Sequence, residues 1–217
     1  MTTPFIRNHQ YNLIKKQATL LQHTCQTVAD PKIVDTVRYS AYTKITEAFP
    51  QADEHQLQLL ERITTLDKTE EFSQFLFSLE PFLIEFEQVT DKQMKKLFPK
   101  SKKLKLPNME ELDLRHTTYL GWTDIGTNRM YLIHQLDGRL VGIEGKFTQA
   151  KKKSTCFLCN RQEEVALFTA ETKSKPANAS SDYYKAIGNY MCMNSHVCNQ
   201  NITDTSALEM FIRTING

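Results

Sequence analysis

Glycine is scarce in this chain, with 7 in 217 residues, and no Gly-rich phosphate loop can be found among them. There is no His-Glu-x-x-His, no Gly-x-Ser-x-Gly, and no separated acidic pair identifiable in an apolar cleft. The six histidines, His9, His23, His55, His116, His134 and His196, are scattered singly, and each reads as a surface or packed imidazole more readily than as a base. These gaps argue against an enzyme and for a binding protein. No window approaches the roughly 20 apolar residues of a membrane helix. The opening MTTPFIRNHQYNLIKK has no apolar core followed by a small-residue cleavage site. The reading is a cytoplasmic chain, not bound to membrane, whose cysteines are reduced.

What is present is an ordinary folding composition, 40% hydrophobic and 24% charged, enough for one substantial core or two modest ones. Net charge is only +2, but it is unevenly spread. Residues 1–90 hold 8 basic and 12 acidic side chains, leaving 19 basic and 13 acidic for the remainder. Any electropositive face therefore belongs to the second part.

Residues 1–90 read as a bundle of four short antiparallel helices, because apolar side chains recur at intervals of three and four. Tyr11, Ile14, Ala18, Leu21 and Cys25 form one stripe, which makes Cys25 a core residue. Asp30-Pro31 breaks the chain and opens a second helix carrying Val34, Val37, Ala41, Ile45 and Phe49. Leu57, Leu60, Ile63 and Leu66 mark a third. Asp67 is an expected N-cap for a fourth bearing Phe72, Phe75, Leu76, Leu79 and Leu83.

Residues 91–111 change texture and are read as a basic connecting segment. A short helix should end near Phe98-Pro99, and six lysines between Lys95 and Lys105 accompany Leu97, Phe98, Leu104 and Leu106. This is either a solvated linker or a contact surface for an acidic partner or RNA. From residue 112 to 217 the period shifts towards two, and an α+β domain is expected. Thr118–Trp122, Arg129–His134 and Leu140–Glu144 are strand-like, with Asp137-Gly138 as a hairpin turn. Lys173–Asp182 reads as a loop, and Leu208, Phe211, Ile212 and Ile215 as the apolar face of a last helix packed on the sheet.

Five cysteines remain to be placed. Cys156-x-x-Cys159 follows a strand-like run, and Cys192 and Cys198 lie where a loop and a strand can fold back to meet it. Two pairs in a reduced chain favour a metal over a disulfide, and four thiolates favour Zn2+ in a closed, structural site. A thioredoxin-type dithiol would need a helix after the pair, which Asn160-Arg161-Gln162-Glu163-Glu164 does not begin convincingly. The second pair is spaced by five residues, and His196 is a rival ligand to Cys192 or Cys198.

Several stretches together resemble the FusB-type fusidic acid resistance proteins: His9-Gln10-Tyr11-Asn12-Leu13-Ile14, Gly121-Trp122-Thr123-Asp124, Thr127–Ile133, Cys156-Phe157-Leu158-Cys159-Asn160, and Gly188–Cys192 leading to Cys198-Asn199. The resemblance implies an N-terminal helical bundle and a C-terminal domain with a treble-clef-like four-cysteine zinc finger, whose ligands would be Cys156, Cys159, Cys192 and Cys198. It implies binding of elongation factor G, mainly by the C-terminal domain, and release of that factor from ribosomes stalled by fusidic acid, with no chemistry on the drug. Phe157, Tyr190 and Phe211 correspond to aromatic residues of the family's contact surface. A lysine of that surface is replaced by Ile187, with Lys185 close by. The chain is expected to act as a monomer. The other reading is a ribosome-associated RNA-binding zinc protein, supported by Lys95–Lys105 and Lys151-Lys152-Lys153.

Overall fold

A computed structural model describes residues 3–173 and 184–217; the expected loop over Lys173–Asp182 lies, apart from Lys173, outside the described residues. Two compact units divide the chain, Met1–Ile84 and Glu85–Gly217, so the basic stretch 91–111 lies within the second unit.

In the first unit, helices α1 (Asn8–Thr27), α2 (Pro31–Glu47), α3 (Glu54–Glu61) and α4 (Thr69–Leu79) surround one core. Ile14, Ala18 and Leu21 of α1 are buried against Ala41 and Ile45 of α2 and Phe72, Phe75 and Leu79 of α4. The i, i+3, i+4 spacing puts these side chains on one stripe per helix. Cys25 is half-buried at its edge. Local signals set the ends. Asp30 accepts from the Lys32 amide, with Pro31 in the first turn, and Asp53 accepts from Gln56 N while Gln56 Oε1 accepts from Asp53 N. The third stripe continues beyond α3 through a tighter 3-10 turn, Arg62–Thr65, which buries Ile63. At α4 the N-cap is Lys68 rather than Asp67. Glu71 reaches back to accept from both the Asp67 and Lys68 amides, the half of a capping box in which a third-position carboxylate holds the N-cap backbone. The segment before α1 ties the unit shut: Phe5 and Ile6 donate to the Phe82 carbonyl, and Ile84 donates to Ile6.

The second unit is built on a five-stranded antiparallel sheet: β1 (Leu120–Asp124), β2 (Arg129–Leu136), β3 (Arg139–Gln149), β6 (Val165–Glu171) and β7 (Ala186–Cys192), in the order β1-β2-β3-β6-β7. Asp137 and Gly138, both with positive φ, make the tight turn between β2 and β3. A miniature hairpin, β4 (Ser154–Thr155) and β5 (Gln162–Glu163), is inserted between β3 and β6. Helix α6 (Ser195–Asn199) and helix α7 (Ser206–Asn216) follow β7. Among the described residues no helix is long and apolar enough to cross a membrane.

Both faces of β2 are covered. Met130 and Leu132 join a core shared with Phe168, Leu208, Phe211 and Ile212, whereas Tyr131 and Ile133 join a second core with Phe86, Met94, Phe98 and Leu120. This is why Met130–Ile133 is a continuous apolar run rather than an alternating one. The second core is roofed by helix α5 (Asp91–Leu97) and the residues after it, with Phe98, Trp122 and Tyr131 in mutual ring contact at centroid separations of 5.2 to 5.7 Å.

Candidate metal centre and the surface around it

Cys156 and Cys159 flank the tip of the β4–β5 hairpin. Asn160 takes a left-handed conformation, φ 55°, and its amide donates to the Cys156 carbonyl at 2.9 Å, while Cys156 N donates to Arg161 O at 3.0 Å. The turn this closes points the Leu158 amide at Cys156 Sγ, 3.4 Å away. Such N–H groups stabilise thiolate charge. Cys192 ends β7, and Cys198 sits in α6, whose first amides are capped by Asn194 Oδ1. The spacing of five has a plain cause: Met193 and Asn194 make the turn out of the strand, and one helical turn from Ser195 brings Cys198 back.

The four sulfurs, all buried, lie within 4.8 Å of one another. Cys156 Sγ is 3.8 Å from Cys198 Sγ and Cys159 Sγ is 3.6 Å from Cys192 Sγ. A tetrahedral thiolate site with Zn–S of about 2.3 Å places its sulfurs about 3.8 Å apart, so the donor set fits such an ion. The electrostatics point the same way. Without a cation the first thiolate is stabilised by S–H donation, and Cys156 is shifted down through its contact with Cys159. The last is penalised by its neighbours, and Cys198 is pushed up, first by Cys156. Four thiolates can share this volume only around a positive charge. His196 is exposed, bonded through its Nε2 to Gln200 Nε2 at 2.9 Å, and is outside the cluster, as is Cys25. The convergence of four sulfurs, not two, also sets the site apart from a redox dithiol.

Two residues around the cluster were not anticipated. Tyr119 is fully buried, and its hydroxyl lacks a hydrogen bond of good geometry. Burial, then the charge of Cys198, Cys156 and Cys192, pushes its phenol up, so the hydroxyl is a donor available to a ligand thiolate. Asn199, adjacent to Cys198, accepts from the Thr118 and Tyr119 amides at 2.8 and 3.2 Å and donates to the Tyr119 carbonyl at 2.9 Å. The finger is thereby latched to the start of β1. In the sequence the only hint was Asn199 standing next to Cys198 in one of the stretches that carry the family resemblance.

The aromatic residues expected near the finger divide into two groups. Phe157 is half-buried, its ring 5.3 Å from that of Phe211. Phe211 is only 5% exposed and also meets Phe168, at 5.9 Å, so it supports Phe157 from beneath. Tyr190 is 45% exposed and pairs across the strands with Leu167, itself 37% exposed. Because successive side chains alternate, Tyr190 and Leu167 face away from the side that carries Phe168 and Phe211. The backbone joins the two groups: Phe157 N donates to Tyr190 O at 2.8 Å. Lys185 is exposed, and Ile187 is partly buried against the core. Tyr184, 74% exposed, is in step with Tyr190 along the chain, whereas Lys185 is in step with Ile187.

Fold and site together define a two-unit protein, helices followed by an antiparallel sheet with a four-cysteine treble-clef finger. Residues 5–87 match the family model "Elongation factor G-binding protein, N-terminal", and residues 97–213 match "FBP C-terminal treble-clef zinc-finger". The chain belongs to this elongation factor G-binding family, that of the FusB-type fusidic acid resistance proteins. Among solved structures, that of the fusidic acid resistance protein FusC is similar, with a TM-score of 0.80, 27% sequence identity, and coverage of 100% of this chain and 99% of that one. No curated protein matches.

Proposed function

We propose that this chain is a cytoplasmic, monomeric binding protein for elongation factor G, that it frees the factor from ribosomes stalled by fusidic acid, and that it does so without chemistry of its own. Zn2+ held by Cys156, Cys159, Cys192 and Cys198 is the structural ion. The observation that carries the reading is the placement of Tyr190: half-exposed on the strand that ends in a ligand, with its carbonyl bonded to the metal knuckle at Phe157 N. Membership of the family and the likeness to FusC support the identity of the partner.

Pre-positioning is what such a surface needs. A few rings held in place bind with little ordering cost and dominate an interface. The contact is centred on the outer edge of β7, with Tyr190 and Lys185 flanking it, Phe157 at the knuckle, and Phe211 backing Phe157. Release follows from differential affinity: the chain speeds departure of the trapped factor by binding its leaving conformation better than its stalled one.

Tyr190→Ala is the cleanest test, because the ring is outside the core. Calorimetric titration should show affinity for elongation factor G lowered by roughly tenfold or more, with one zinc per chain retained. The rate at which the factor leaves fusidic acid-stalled ribosomes should fall in parallel. Binding at the original strength would place the contact elsewhere, and tight binding with no faster release would refute the rescue role.

A further inference from the structure

Residues 92–109 contain seven lysines and no acidic residue. All seven side chains are exposed, yet the backbone that bears them is fixed. Met94 and Phe98 are buried in the second core, with Leu97, Leu104 and Leu106 packed against it. Thr90 and Gln93 close a capping box at the start of α5. Ser101 Oγ donates to Glu144 at 2.6 Å and contacts Tyr131 OH at 3.1 Å, and Trp122 Nε1 donates to the Lys105 carbonyl at 2.8 Å. Of the seven, only Lys105 has an anionic partner among the described residues, Asp124 at 3.5 Å.

Helix electrostatics account for Lys95 and Lys96, which lie in the last turn of α5, where cations favour the dipole. They do not account for Lys100, Lys102 and Lys103 beyond it. Six uncompensated cations on one anchored segment repel one another, a standing cost that a polyanion would relieve.

We propose that this segment binds the phosphate backbone of structured RNA. A protein partner would need a desolvated apolar anchor, and a membrane an apolar wedge. No large apolar side chain from 91 to 111 is exposed, since those present roof the core. Lysines are point charges suited to phosphate oxygens, and with no exposed aromatic or arginine between them the contact positions the chain on RNA without reading its bases. The proposal is independent of elongation factor G binding, which is assigned to the β7 edge.

The test uses the full zinc-loaded chain and a fluorescent RNA hairpin with a duplex stem of about 16 base pairs, the span that double-stranded RNA readers cover, titrated over a range of KCl. Replacing Lys95, Lys96, Lys100, Lys102 and Lys103 by Gln should weaken binding at about 0.1 M salt by at least tenfold. It should also flatten the plot of log K against log salt by about four to five, since each of the five phosphate contacts contributes just under one to the slope. Affinity for elongation factor G, measured on the same variant, should be unchanged. RNA affinity and slope equal to those of the unaltered chain would overturn the proposal. So would a loss confined to elongation factor G, or preferential binding to phosphatidylglycerol vesicles over the hairpin. If the fivefold variant fails to fold, K95Q/K96Q and K102Q/K103Q made separately carry the same test.

Discussion

The two units of this chain reach stability by different routes. The helical unit closes over one apolar core, in which Leu21, Ile45, Leu60 and Leu79 are completely buried, and its ends are sealed by side-chain caps. The second unit divides its apolar residues between two faces of a thin sheet and places four thiols at the centre of one of them. Sulfur that must be ionised to do its work is a poor core atom until a cation arrives. A structural zinc contributes on the order of 10 to 16 kcal/mol in small fingers, as much as the whole stability of many domains. The contrast we propose is between a core that needs only water to form and one whose four clustered thiols also call for a metal, so that a partner surface built on the second would be held in place by the ion.

The sharpest way to break this contrast is to remove the metal. Chelation, or Cys159→Ser, should abolish near-UV dichroism from Trp122 and the fixed aromatic residues of the second unit while most far-UV helical signal from α1–α4 persists. Lowering the pH should act in the same direction, because protons compete with the ion for thiolates and metal-derived stability is lost as pH falls. Thermal scans between about pH 7 and 5 should show the second unit's transition falling faster than the first's. A metal-free chain with its complete tertiary signal would show that the second core stands alone.

The complementary perturbation strikes the first unit. Phe75 is 1% exposed in its core, and Phe75→Ala should cost about 3 to 5 kcal/mol. The helical transition should drop while one zinc per chain is retained, and loss of zinc together with the helices would mean that the units do not fold separately. A smaller effect is expected at Tyr119. Loss of a polar donor beside metal ligands weakens metal affinity by roughly tenfold or more, so Tyr119→Phe, which removes the hydroxyl available to a ligand thiolate, should give up zinc to a competing chelator at correspondingly lower concentrations, with folding of the loaded form intact. Unchanged zinc affinity would leave the hydroxyl a buried group without purpose.

The same contrast explains what could be read in advance. Helical stripes such as Tyr11-Ile14-Ala18-Leu21 are local, and so are caps like Asp30-Pro31; both were visible in the sequence. Cys156-x-x-Cys159 was visible for the same reason, and the five-residue spacing of Cys192 and Cys198 made sense once a strand end and a helical turn were seen to bring them together. What stayed hidden depends on long-range neighbours. The apolar side of residues 91–106 was masked by lysines, and its role as a roof appears only when Phe98 meets Trp122 and Tyr131. Strand pairing puts Tyr190 beside Leu167 and Phe157 above Phe211, on opposite faces of one sheet, an arrangement that no spacing within β7 alone announces. Asn199 acts across some eighty residues, on the backbone of Tyr119.

The central claim is that the metal holds the surface that binds elongation factor G. The most direct measurement is the affinity of that factor for the same chain before zinc removal, after it, and after return of one equivalent. Binding should be lost on stripping and return with the ion. Equal affinity with and without zinc would contradict the claim.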